Sequence, residues 1–143
     1  MPRFSATSLS RLQTCHPRLV TLFAAVVELH DCTILEGHRT GARQAELVAK
    51  KLSKTHDSKH LALPSLAVDV APYPIEWPDQ MLPSASTEVM RRKAWGRWYL
   101  FAGVVFATAH RLSIPVRWGG AWAGGMDPRG NRFDDLVHWE LAP

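Results

Sequence analysis

Three side chains have the types and settings needed to hold a divalent metal: His60, Asp69 and His138. Asp69 lies within Ala67-Val68-Asp69-Val70-Ala71. Successive side chains on a strand alternate between faces, so Val68 and Val70 point one way and Asp69 the other. A carboxylate on an otherwise apolar strand needs a partner, which can be a backbone donor, an arginine or a metal. His138 sits in the same manner between Val137 and Trp139, and Glu140 shares its face, placed to orient it from behind. His60 lies in the polar stretch just ahead of the Asp69 strand. Two imidazoles and a carboxylate with one open position make a catalytic zinc site. Spacing alone leaves structural or exposed histidines as the alternative.

Asp135 stands three residues before His138. At a bend entering a strand, that offset can return a carboxylate to the histidine's cleft. A carboxylate beside a metal can accept a proton from water and later pass it to a leaving amine. Asp134 meets the same description, and an ordinary turn residue is the alternative for both. Arg39, in Glu36-Gly37-His38-Arg39-Thr40, falls between a strand end and a helix start. A guanidinium held there can bind an oxygen that becomes negative during acyl transfer; the alternative is a surface ion pair. His16, His30, His38, His56 and His110 have no comparable setting and read as structural or exposed.

Elements to position these groups can be read from periodicity and punctuation. Thr7, Ser8 or Ser10 can cap an early helix, but Pro17 is the stronger start, followed by Leu19, Leu22, Phe23, Val26 and Val27 at helical spacing over 17–30. Cys32–Leu35 reads as a short strand ended by Gly37. Thr40 caps a second helix running to about Leu52, with Lys50, Lys51 and Lys54 near its end. Leu66–Ala71 is a strand closed by Pro72, and residues 72–86, with four prolines, read as a surface loop. Ser86 or Thr87 opens a long helix to about His110. Val116–Trp118 and Val137–Leu141 are strands flanking the glycine-rich stretch 119–131. Without regular strand–helix alternation, the order predicts an α+β fold with a small, mostly antiparallel sheet.

The chain has 143 residues, 46% apolar and 21% charged, a composition that excludes disorder. One domain over residues 1–143 is expected, since domains run about 100–200 residues. Ten prolines and six tryptophans point to a loop-rich fold with a walled cleft rather than a helix bundle. The formal charge of +4 favours polyanionic partners such as nucleic acid, anionic lipid or an acidic wall polymer. From Gly119 onward, however, two arginines face three aspartates and one glutamate. That argues against a dedicated nucleic-acid module, which needs a basic stripe. Cys15 and Cys32 cannot build a disulfide framework and read as reduced, partly buried thiols; their spacing to His16 and His30 matches no familiar zinc pattern. The first ten residues lack the apolar run of a secretory signal. Tyr99–Ala109 falls short of the roughly 20 residues a membrane span needs. It reads as a buried helix, and no stable membrane insertion is expected.

The same residues fall inside longer phrases: ILEGHRTGARQ at 34–44, SKHLALPSLAVDVAPYP at 58–74, RWGGAW at 117–122 and FDDLVHWEL at 133–141. Together, over about Ser8 to Leu141, they resemble the zinc peptidases of the DD-peptidase/hedgehog-like fold. The likeness is strongest to phage endolysins of the L-alanyl-D-glutamate peptidase type, with bacterial D-Ala-D-Ala carboxypeptidases more distant. The resemblance implies a zinc ion held by His60, Asp69 and His138. It selects Asp135 over Asp134 as the catalytic carboxylate and Arg39 as the substrate- or oxyanion-binding arginine, with Gln44 and Ser58 as lesser pocket residues. Two departures stand out. The gap from His60 to Asp69 is longer than in many relatives and carries Pro64-Ser65, so it must bulge. Ala121 stands where many relatives have aspartate.

What the resemblance implies is hydrolysis of a peptide bond in the peptidoglycan stem, L-alanyl-D-glutamate first and D-Ala-D-Ala second. A non-catalytic zinc-holding module of hedgehog type and a basic nucleic-acid binder are the rival readings. It further implies a monomer without nucleic-acid partners, pooled in the host cytoplasm and released to the wall by a separate holin-type protein.

Overall fold

The computed structural model describes residues 1–81 and 87–143. Four α-helices pack around a four-stranded sheet. In chain order they are α1 (Ala6–Leu12), α2 (Pro17–Leu29), β1 (Cys32–Glu36), α3 (Gly41–Ala49), β2 (Ala67–Pro72), α4 (Glu88–Arg111), β3 (Val116–Trp118) and β4 (His138–Leu141). Single 3-10 turns occur at Lys59–Leu61 and Pro78–Gln80. The strands are ordered β1-β2-β4-β3, and every pair is antiparallel. This is the α+β architecture expected from the sequence.

Strand alternation separates core from site. Val68 and Val70 of β2 and Trp139 of β4 are fully buried in one cluster with Phe23 and Val26 of α2 and Phe101 and Val105 of α4. Trp139 stacks on Trp118 at 5.7 Å between ring centroids and meets Phe106 edge-on at 5.1 Å. Such aromatic pairs add about 0.5–1.5 kcal/mol each beyond area burial. The intervening residues, Asp69, His138 and Glu140, are thereby turned to the other face.

Several sequence expectations are adjusted. An independent α1 precedes the Pro17 helix and is capped by Ser5, whose hydroxyl accepts from Ser8 N at 3.1 Å. Ser8 is not a cap but a buried link to β1, within hydrogen-bond distance of Thr33 Oγ1 (3.0 Å) and accepting from Ile34 N (3.1 Å). α3 starts at the Thr40 cap but stops at Ala49, three residues early, because Lys51 turns into the left-handed region (φ 57°). Pro72 ends β2 from inside the strand, and the proline-rich segment contains the Pro78–Gln80 turn, docked on α4. β4 begins at His138 rather than Val137. α4 is not buried throughout: Phe101, Ala102, Val105 and Ala109 face the core while Leu100 is exposed. Ser86, one of two proposed caps for α4, lies outside the described residues. Among the described helices none is long and apolar enough to cross a membrane.

Both cysteines are buried and free. Burial lifts the Cys15 thiol to about 11 and the Cys32 thiol to about 12, which keeps them protonated and inert.

Candidate active site and metal centre

Sheet register assembles the site. On β2, Asp69 pairs directly with His138 of β4 on one side and, after a bulge between Ile34 and Glu36, with Glu36 of β1 on the other. Directly paired residues bring their side chains within about 5 Å on one face. The second imidazole comes from the Lys59–Leu61 turn, which Ser58 caps through its hydroxyl to His60 N at 3.3 Å. The long gap after His60 does bulge, and its bulge is anchored. Ser65 is fully buried, receives His16 N on its carbonyl at 2.8 Å and donates its own N–H to Thr14 O at 2.9 Å. The extra residues therefore lean on the α1–α2 junction and leave His60 in place.

His60 Nε2 lies 3.2 Å from Asp69 Oδ1, and His138 Nδ1 lies 3.5 Å from the same oxygen. One donor atom from each of the three residues falls within 4.8 Å of the others, and this is the one such group among the described residues. The remaining ring nitrogens are occupied. His60 Nδ1 donates to the Gly37 carbonyl at 2.7 Å, and His138 Nε2 donates to Glu140 Oε2 at 2.9 Å. Each imidazole is thus oriented by a partner behind it and turns its other ring nitrogen toward Asp69. This is the arrangement found behind metal-ligating histidines. Glu140 is in turn held by Arg117 Nε at 2.8 Å and Lys59 Nζ at 3.2 Å. Two neutral nitrogens and one carboxylate, mostly buried, fit Zn2+ or a similar ion with a position left for water or substrate.

Electrostatics agree with that donor set. Burial raises the carboxyl of Asp69, but hydrogen bonds with His138 and His60 outweigh it and hold the group well below the usual range. For His138, burial alone lowers the pKa. Hydrogen bonds to Asp69 and Glu140 reverse this and hold the metal-free imidazole at about 9. Asp135 goes the other way: burial, then the charge of Asp69, push it up.

His60, Asp69 and His138 line a cleft of about 420 Å³, shared with Arg39, Ser58, Trp122 and Asp135. Asp135 is half-buried there, whereas Asp134 is exposed and accepts from Asn131 Nδ2 at 2.7 Å. Of the two carboxylates, Asp135 is the one brought beside the ligands. It is held by backbone: Asp135 N donates to Gly119 O (3.0 Å), and Asp135 O accepts from His138 N (3.0 Å). A Cβ on Gly119 would stand 2.1 Å from Asp135 O, so only glycine permits this approach.

Arg39 is buried and reaches Glu36 Oε2 (2.7 Å), Gln44 Oε1 (2.8 Å) and Asp69 Oδ2 (3.4 Å). Its backbone N–H donates to His60 O at 2.8 Å, tying the arginine to the ligand turn. Gln44 does not line the cleft. It is 1% exposed and holds Arg39 from behind while donating to Ser53 Oγ at 2.9 Å. Lys54, read from sequence as a helix-end charge, sits over the Phe133 ring at 4.1 Å, and both line the cleft. His16 caps α2, while His30 and His38 bond backbone carbonyls at 2.9 and 3.0 Å; His56 and His110 are exposed.

Sequence reasoning missed Glu36, Asn131 and Trp122. Trp122 packs against the His138 ring at 5.1 Å. Asn131 braces the loop by donating to Gly119 O (3.1 Å) and accepting from Trp122 N (3.0 Å). The only local signal for Asn131 is its place beside Gly130 in a turn-rich stretch. Ala121, one of the two departures from the resemblance, is buried in the core.

No curated protein sequence matches the chain. Among solved structures, the Serratia marcescens L-Ala D-Glu endopeptidase ChiX is similar at a TM-score of 0.67 and 26% identity, with 99% of this chain and 91% of that chain covered. The family model for phage L-alanyl-D-glutamate peptidase matches residues 1–142. With nearly every residue matched and a His-Asp-His cluster in the cleft, the chain belongs to the phage L-alanyl-D-glutamate peptidase family.

Proposed function

We propose that this protein is an endolysin that hydrolyses the L-alanyl-D-glutamate bond of the peptidoglycan stem, with Zn2+ held by His60 Nε2, Asp69 and His138 Nδ1. The observation that carries the reading is the convergence of these donors within 4.8 Å beside a half-buried Asp135. Family membership and the likeness to an L-Ala D-Glu endopeptidase support the choice of bond.

When bound, the ion supplies a Lewis acid that polarises a carbonyl and makes water more acidic. The chain's own groups do the rest. Asp135 takes a proton from the attacking water and returns it to the departing amine of D-glutamate, a role favoured by a carboxyl whose proton affinity burial has raised. Arg39, clamped by Glu36 and Gln44, offers a fixed positive charge to the oxygen that becomes negative. Glu140 keeps His138 in the tautomer that leaves Nδ1 free. Ser58 lines the cleft and caps the His60 turn, and Gln44 acts through Arg39.

The reading extends to one catalytic domain over residues 1–143, working as a monomer. It places the protein in the host cytoplasm until a separate holin-type protein opens the membrane. The family's phage origin supports that sequence of events. Mass spectrometry of products from a defined muropeptide tests the bond. A new N-terminal D-glutamate is expected, while loss of a terminal D-alanine would make it a carboxypeptidase instead. Chelation is expected to abolish cleavage and added Zn2+ to restore it.

A further inference from the structure

The catalytic cleft does not end at Asp135. On the far side of Asp135 and Val137, which line both spaces, lies a second cavity of about 270 Å³. Three of the six tryptophans wall it: Trp77, Trp95 and Trp98. Asp79, Gln80 and Asp134 add polar groups. Trp98 is 2% exposed, and its Nε1 donates to Glu76 O at 2.8 Å, so it is structural. Trp77 lies against it at 5.2 Å between centroids and yet remains 39% exposed. The reaction derived above has no use for these rings.

We propose that this cavity is a saccharide subsite, taking the sugar ring attached to the stem peptide and placing the glycan end of the substrate on the Asp135 side of the metal centre. The inference rests on the peptidoglycan-peptidase reading and adds a direction to it. Three lines of chemistry lead to it. Flat aromatic faces edged by hydrogen-bonding carboxylates and amides match a pyranose, which offers C–H faces and hydroxyl edges. The volume, near the lower end of the roughly 300–1,000 Å³ of ligand pockets, suits one ring rather than an extended peptide. Adjacency is the third: Asp135 and Val137 line both the cavity and the catalytic cleft. In the stem, the L-alanine nitrogen is amide-linked to the lactyl group of N-acetylmuramic acid. One residue spans about 3.6 Å, so the sugar must lie within one or two residue lengths of the scissile carbonyl.

Charge decides the orientation. Beyond the scissile bond the stem carries free carboxylates, which Asp79, Asp134 and Asp135 would repel, whereas amide-linked N-acetylmuramic acid is neutral. On the opposite flank, past His138, Lys59 and Arg117 offset Asp57 and Glu140. The anionic end of the substrate is better placed there.

The test compares two substrates: muramoyl-L-Ala-D-Glu-L-Lys and the same tripeptide capped with acetyl instead of the sugar. The wild type is expected to prefer the muramoyl form through KM. Trp77→Ala and Trp95→Ala are expected to cut that preference about five- to tenfold, the loss of one aromatic face, while Trp77→Phe retains it. No preference in the wild type, or an equal loss on both substrates, would overturn the subsite. An equal loss would mean that the cavity serves the peptide or only the fold. A second measurement needs no turnover. Titration with the N-acetylglucosamine–N-acetylmuramic acid disaccharide should quench tryptophan fluorescence saturably in the wild type and not in Trp77→Ala. Peptide cleavage without such binding would sink the subsite and leave the peptidase; binding without cleavage of either peptide would do the reverse.

Discussion

Asp135 and His138 sit three residues apart and are assigned different work, so their variants should separate. Asp135→Ala removes a proton carrier and no metal donor. Its kcat is expected to drop about 100- to 10,000-fold with zinc content unchanged by metal analysis. His138→Ala removes a donor and is expected to lose both zinc and activity. Full lysis by the Asp135 variant would refute its role. The titration of His138 leads to a second outcome at this scale. In the metal-free protein its pKa is raised to about 9, so at pH 7 the imidazole is protonated, and a metal must expel that proton. Zinc binding should therefore release about one proton at pH 7, read by calorimetry in buffers of different ionisation enthalpy. The stability sign follows from the same shifts. A raised histidine stabilises below its ordinary 6.5 and loses that contribution as pH climbs through about 9. The lowered carboxyls of Asp69 and Glu140, the latter held at about 2 against an ordinary 4.5, stabilise above their ordinary values and lose it as pH falls. The metal-free melting temperature should be highest between about pH 4.5 and 6.5 and fall on both sides.

At the scale of elements, β2 and β4 present ligands on one face because Val68, Val70 and Trp139 bury the other. A one-residue slip in their register would turn Asp69 or His138 into the core, so the hydrophobic pattern and the polar pair enforce each other. Loops complete the site by close backbone approach. Gly119→Ala would drive a methyl group into Asp135 O. Activity is expected to fall about 100-fold, as for a 1 Å misplacement of a catalytic group. Zinc should stay bound, because His138 is also held by its pairing with Asp69 on β2 and by Glu140. Loss of zinc in Gly119→Ala, measured by metal analysis, would show that the loop supports the ligands as well. Gly37 plays the matching role behind His60: its Cβ would meet Arg11 O and Thr14 Oγ1 at 2.3 Å each, while its carbonyl anchors Nδ1.

Over the whole molecule, a net charge of +4 faces an anionic envelope. Long-range attraction speeds encounter and is screened with a Debye length of about 10 Å at 0.1 M salt. Lysis of intact walls is therefore expected to slow as ionic strength rises, while cleavage of a small soluble muropeptide changes little. Equal salt responses of the two, measured by turbidity and by chromatography, would remove charge steering from the account. The acidic residues after Gly119 include Asp135 of the cleft and Glu140 behind His138.

Much of this is legible in the amino-acid sequence. Alternation about Asp69 and His138 placed polar donors opposite an apolar face, Pro17 and Thr40 marked helix starts, and Glu140 announced itself as the partner behind His138. These are local signals, carried by periods of two and 3.6 residues and by capping chemistry. What lay outside local reach was pairing between segments distant in the chain: that β4 inserts between β2 and β3, that Ser65 pins the long ligand gap to the α1–α2 junction, and that Gln44 serves Arg39 rather than the cleft. The choice between Asp134 and Asp135, equal by local chemistry, also depended on the turn at Gly119. The meeting of Trp77, Trp95 and Trp98 with Asp135 likewise lies beyond local signals, since burial and register arise only when the elements pack. Amino-acid type and spacing nominate the donor groups; packing decides which atoms face one another.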